Sequence, residues 1–182
     1  YFCFGIYRFL CFFKISIINY KKSSRKFSIP FAYFHQLSAN NIPFNLNGKV
    51  SQNIITWYAQ WNGRNQEVKS IHHDASHTNE VYFDGFNVYS ESIKHINMGS
   101  VKAYFKLLIW FFAAIAIYGK DLFLLRWWTF LLFEQYVQAA ILRYAEKSNI
   151  AKDYLLHHSG VFYRPLWTYE AEKRNARVIL YF

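Results

Sequence analysis

The chain has 182 residues, of which 53% are hydrophobic and 22% aromatic, and a formal net charge of +10. So apolar a composition excludes a disordered chain, and the length allows one domain or one and a part. The charge is one-sided: no Asp or Glu precedes Glu67, while Arg8, Lys14, Lys21, Lys22, Arg25, Lys26, Lys49 and Arg64 are basic, which favours an anionic partner such as a lipid surface, a nucleic acid or a phosphorylated substrate.

Residues 1–20 are apolar and aromatic, interrupted by Arg8 and Lys14, and are followed by Lys21-Lys-Ser-Ser-Arg-Lys26. The order is the reverse of a signal peptide, and the uncharged runs are shorter than the ~20 residues of a spanning helix. Two readings stand side by side: an interfacial helix whose basic end meets anionic headgroups, and an ordinary buried helix ahead of a basic loop. Cys3 and Cys11 have no metal-ligand spacing and read as reduced core or membrane-facing residues, which suits a cytoplasmic location. Ile29-Pro30, Ile42-Pro43 and the asparagines between Asn40 and Asn47 make a loop-rich stretch.

Ser51 is a plausible N-cap for a helix through Ile54, Ile55, Tyr58 and Trp61, with Gly63 as its stop. Residues 68–72 and 86–90 read as strands, with a polar loop over 74–79 and the turn signal Asp84-Gly85 between them. Gly99 and Ser100 open a long helical region containing the uncharged run from Leu107 to Gly119, and Gly119-Lys-Asp121 reads as its break. At thirteen residues this run is too short to span a bilayer unaided; it reads as a helical insertion packed on the sheet, with one apolar face lying on a membrane or on a missing domain, or as half of a membrane hairpin. Residues 154–157 read as a buried strand, Pro165 as a first-turn proline of a helix to about Asn175, and residues 178–182 as a further strand. Strand, helix, strand is a βαβ unit, whose crossover is expected to be right-handed. The expected fold class is therefore α/β, a Rossmann-like parallel sheet: a basic, aromatic N-terminal segment over 1–48, then a domain over 49–182 with a helical insertion at 100–148, cut short at its C-terminus.

In a parallel sheet, ligands gather at the carboxyl ends of the strands. Two His-His pairs fall at such ends, His72-His73-Asp74 and His157-His158-Ser159-Gly160. A histidine there suits a general base for a hydroxyl nucleophile, because imidazole exchanges its proton near neutral pH. His157, His158 and His73 are the catalytic candidates, and Ser159, Gly160 and Asp74 are candidate substrate contacts. If His72 and His73 still belong to the strand, they point to opposite faces. No spacing matches a metal signature, so no metal site is expected. Arg164 ahead of the Pro165 helix suits a phosphate contact; the competing reading is a salt bridge to Glu170 or Glu172. The acidic pair itself reads as a solvated helix face matched to Lys173 and Arg174. With no Gly-rich phosphate loop, no bound cofactor is expected in this chain.

Three stretches carry a family resemblance: Asp153-Tyr-Leu-Leu-His-His-Ser-Gly-Val-Phe-Tyr-Arg-Pro-Leu-Trp-Thr-Tyr-Glu-Ala-Glu172, Arg126-Trp-Trp128 and Glu91-Ser-Ile-Lys-His-Ile-Asn-Met-Gly99. They resemble bacterial surface-polysaccharide biosynthesis proteins named for a Pro-Phe-Thr-Ser motif, over roughly residues 50–182. The resemblance implies a glycosyltransferase of two facing Rossmann-like domains, in which the C-terminal one holds the nucleotide-sugar donor and the N-terminal one the acceptor. This chain is then expected to be the acceptor-side fragment. Its partners would be a lipid-linked or glycan acceptor, the membrane surface and a missing C-terminal domain carrying the naming motif. The rival expectation is a small integral membrane protein with helices at 1–20 and 107–132. Nucleic acid is not an expected partner, since no recognisable binding module accompanies the charge.

Overall fold

The structure is a computed structural model. It describes residues 30–35, 54–63, 68–73, 81–83, 86–90, 98, 100–126, 129–157 and 164–181, together with 3, 6, 7, 9–11 and 14. The chain forms two compact units that interleave in sequence, a sheet unit (26–93, 151–161 and 176–182) and a helical unit (1–25, 94–150 and 162–175).

The sheet unit holds β1 (Phe31–His35), α1 (Ile54–Gly63), β2 (Ser70–His73), β3 (Val81–Phe83), β4 (Phe86–Ser90), β5 (Asp153–His157) and β6 (Arg177–Tyr181). Its strand order is β3-β4-β2-β1-β5-β6. Five of these strands, β4-β2-β1-β5-β6, run parallel, and β3 closes one edge antiparallel to β4. This is the α/β, Rossmann-like class expected from the sequence. One element differs. Phe31–His35, which falls in the stretch read as loop-rich, is a central strand with parallel neighbours on both sides. Its residues from Phe31 to Phe34 are all buried, so the run shows no alternation of the kind that marks a half-exposed strand.

Strand alternation sends Ala32 and Phe34 to one face, level with Ile71 and His73 on β2 and with Asp153 and Leu155 on β5. That face packs on α1. Ile55, Tyr58 and Ala59, at helical spacing, join Ala32, Phe34, Ile71, Val88, Leu155 and Tyr181 in one core. At the amino end of β5 the fully buried Asp153 accepts a hydrogen bond from the Tyr58 hydroxyl, and both of its oxygens are held by Arg177, Nε at 2.8 Å and Nη2 at 2.7 Å. The Arg177 guanidinium also lies 4.9 Å over the Trp61 ring. One buried carboxylate thus ties α1, β5 and β6 together.

The helical unit holds α2 (Val101–Phe123), α3 (Thr129–Tyr144), a 3-10 turn (Lys147–Asn149) and α4 (Leu166–Lys173). Ser100 caps α2, its hydroxyl accepting from the Ala103 amide at 3.2 Å. The expected break at Gly119-Lys-Asp121 does not occur. The helix continues to Phe123 and turns at Leu125, whose φ is 57°. Tyr104, Leu107, Phe111, Ala114 and Tyr118 form the buried stripe of α2. Phe111 stacks on Phe9 from the N-terminal stretch, and Tyr118 meets Phe133 of α3 edge-on at 4.7 Å. Residues 3, 6, 7, 9–11 and 14 are helical; among them Phe9 is buried, while Tyr7 and Leu10 are exposed.

α4 is fixed to α3 at both ends. Gln135 accepts from the Leu166 amide at 2.9 Å, while Arg174 donates to the carbonyls of Leu142, Arg143 and Ala145 at the end of α3. Between them Glu170 holds Arg143 and Lys173. Glu170 is therefore a buried ion-pair centre, not the solvated residue expected, because α3 runs alongside it.

Candidate functional site

Strand order fixes where a ligand would sit. From β1 the chain builds outward through β2 to β4, then returns to the other side of β1 for β5 and β6. The direction of winding reverses between β1 and β5, and a doubly wound sheet opens its ligand crevice outside the carboxyl ends of the strands at that switch point. The residues ending the two strands are His35 and His157. His35 is level with Leu156 in the ladder, so His157 stands one residue further out, on the neighbouring strand and the opposite face.

His157 is exposed, and its ring meets Tyr181, the last residue of β6, edge-on at 5.3 Å. Tyr181 in turn packs against Phe34, and Phe34 against Tyr58. An aromatic chain through the core thus supports the imidazole while leaving it open to solvent, a geometry in which a ring nitrogen can accept a proton from a hydroxyl brought to the rim. His35 was not singled out by the sequence, because its strand was not. Its one signal is that a histidine closes a short apolar run, Phe31 to Phe34, as His157 closes Tyr154 to Leu156 on β5.

The other candidates fall in different places. His73 ends β2 on the face that packs on α1 and is only 1% exposed, so it lies beneath the rim. His72 belongs to the same strand and points to the other face. There it approaches Ser70 Oγ at 3.2 Å through Nε2 and stacks on Tyr89 at 5.0 Å, within the core and away from the rim. Asp74, His158, Ser159 and Gly160 lie outside the described residues.

Arg164 belongs to the helical unit. Its Nε donates to Thr168 Oγ1 at 2.7 Å, its Nη2 pairs with Glu172 at 2.6 Å, and its guanidinium lies 4.4 Å over the Tyr169 ring. The first amide of α4 is already given to Gln135. An anion reaching Arg164 would have to displace Glu172, so the salt bridge, the competing reading of this residue, is the arrangement present. Among the described residues no group of three or more His, Cys, Asp or Glu side chains is placed to hold a metal ion.

No curated protein and no solved structure matches the chain. Residues 106–182, which run from α2 through β6 and include His157 and Arg164, match the family model described as Polysaccharide biosynthesis PFTS motif protein, and over these residues the chain is similar to that family.

Proposed function

We propose that the chain supplies the acceptor side of a sugar-transferring enzyme of polysaccharide biosynthesis, with His157 as the general base at the switch point between β1 and β5. The observation that carries the reading is the placement of an exposed histidine, inside the family-matched segment, at the one rim position where a doubly wound sheet gathers its ligands. In this reaction an acceptor hydroxyl gives its proton to His157 while its oxygen bonds to the anomeric carbon of a nucleotide sugar. The bond from that carbon to the phosphate oxygen breaks, and the nucleoside diphosphate leaves with the electron pair. His35, on the neighbouring strand end, contacts the acceptor from the other face of the sheet. The donor is held by a facing domain of the two-domain architecture that the family resemblance implies.

The test is sugar incorporation into lipid or glycan by the full-length protein, using labelled nucleotide sugars. A positioned base contributes on the order of 10²–10⁴ in rate, so His157→Ala should lower incorporation by about 100-fold or more at an unchanged melting temperature. His35→Ala should raise the acceptor KM more than it lowers kcat. Full incorporation by a folded His157→Ala protein would remove the assignment.

A further inference from the structure

A run of large apolar side chains on the helical unit is exposed among the described residues. On α2, Phe105, Ile109, Phe112 and Ile117 are each more than 60% exposed, and beyond them Leu122, Phe123, Leu124 and Leu125 follow one another at the α2–α3 turn, Phe123 at 90% and Leu125 at 80%. Contiguous exposure on this scale marks an interaction surface. Its charge indicates what covers it. Lys102 and Lys106 lie at one end of the same helix face and Lys120 at the other, Arg126 follows just past the turn, and all four are exposed. The only acid between Val101 and Arg126 is Asp121, whose carboxylate lies 3.9 Å from Arg126. An apolar stripe closed at both ends by cations, with its one acid paired, is complementary to an anionic bilayer surface: acyl chains meet the stripe and headgroups meet the lysines.

The same residues set the orientation. α2 is long and apolar enough to cross a membrane by length and composition. The uncharged run between Lys106 and Lys120, however, covers about 20 Å of helix against a hydrocarbon core of about 30 Å. The opposite side of α2, from Tyr104 to Tyr118, is also already buried. A helix committed to protein on one side, with cations at both ends of the other, lies in the plane of the interface.

We propose that α2 and the turn after it form a membrane-docking surface that lies flat on an anionic bilayer, with Phe123 and Leu125 inserted below the headgroups. This stands independently of the sugar-transfer reading, and its test uses no activity. The full chain is sedimented with vesicles of phosphatidylcholine containing phosphatidylglycerol, and with vesicles of phosphatidylcholine alone. Binding to the mixed vesicles should exceed binding to the neutral ones and weaken with salt. Lys102→Gln and Lys120→Gln should each lower the partition coefficient about fivefold. Phe123→Asn combined with Leu125→Asn should lower it roughly tenfold or more on the same vesicles. Asparagine suits the left-handed backbone at Leu125, so this variant should unfold at the wild-type temperature. Alkaline carbonate should release the bound protein. The proposal is overturned if the folded chain ignores anionic vesicles, if the variants bind as wild type does, if carbonate leaves the protein in the bilayer, or if the tip variant dissociates a dimer while vesicle binding is unchanged.

Discussion

Glu170 illustrates what a single residue does in the helical unit. Its side chain is 10% exposed and faces Arg143, whose Nε donates to Oε2 at 3.1 Å and whose Nη2 reaches Oε1, while Lys173 adds a third donor at 3.1 Å. The Arg143 hydrogen bonds hold the Glu170 carboxyl below the usual carboxylate range, against the opposing effect of burial. Lowering in the folded state means that the unfolded chain takes up the proton first. The stabilisation is therefore fully present above the unfolded value, about 4.3, and is lost as pH falls through the lower folded value. Arg143 is half exposed, which screens the pair, so Glu170→Gln should cost about 1 kcal/mol at pH 7. In urea titrations the gap between wild type and variant should close on going from pH 7 into the acid range. A gap that persists there would place its origin in packing. The sequence showed the acid and the bases as neighbours on α4 but not Arg143, 27 positions earlier. Long-range partners of this kind, like Asp153 with Arg177 and Tyr58, depend on which elements adjoin, and local spacing carries no record of that.

At the scale of the element, α2 shows where punctuation misleads. Gly119 followed by Lys120 and Asp121 has the composition of a break, yet the helix runs on for four residues and ends where Leu125 adopts a left-handed backbone. Glycine in a helix interior costs stability without preventing the helix, since the apolar stripe ending at Tyr118 supplies more than one residue's propensity removes. A Cβ at Gly119 would meet nothing within 4 Å. Gly119→Ala should therefore raise stability by about 0.5–1 kcal/mol, visible as an increase in urea midpoint with no change in slope; a decrease would mean that glycine is needed there for another reason. The helices with ordinary signals were legible. α1 starts at Ile54 and ends at Gly63, and Ser100 is the N-cap of α2. On the sheet, Phe86–Ser90 is a strand over the span its composition indicates. β1 was not legible, because five residues between a proline and a polar run show neither alternation nor length.

For the whole molecule, the missing strand matters more than any boundary error. Composition, two strands of the βαβ unit and the family-like segment suffice to read an α/β sheet. They do not give its order, and the order is what locates the site: without β1 there is no switch point, and His157 is one rim histidine among several. A boundary near residue 48 would separate β1 from the strands on either side of it. β1 pairs with β2 and β5 over four register positions each, and it contributes Ala32 and Phe34, both fully buried, to the core. Truncating Phe34 alone to alanine should cost about 3–5 kcal/mol, a large part of the ~5–15 kcal/mol that holds a typical domain together. Removing the whole strand also leaves the facing backbone groups of β2 and β5 unpaired in the sheet interior. A chain beginning at residue 49 should therefore show no cooperative urea transition for the sheet unit, while keeping far-UV helical signal from α2 and α3. A cooperative transition in that truncated chain, at the full chain's midpoint, would mean that β2 and β5 close on each other without β1. The switch point at His35 and His157 would then not be the organising feature of the sheet.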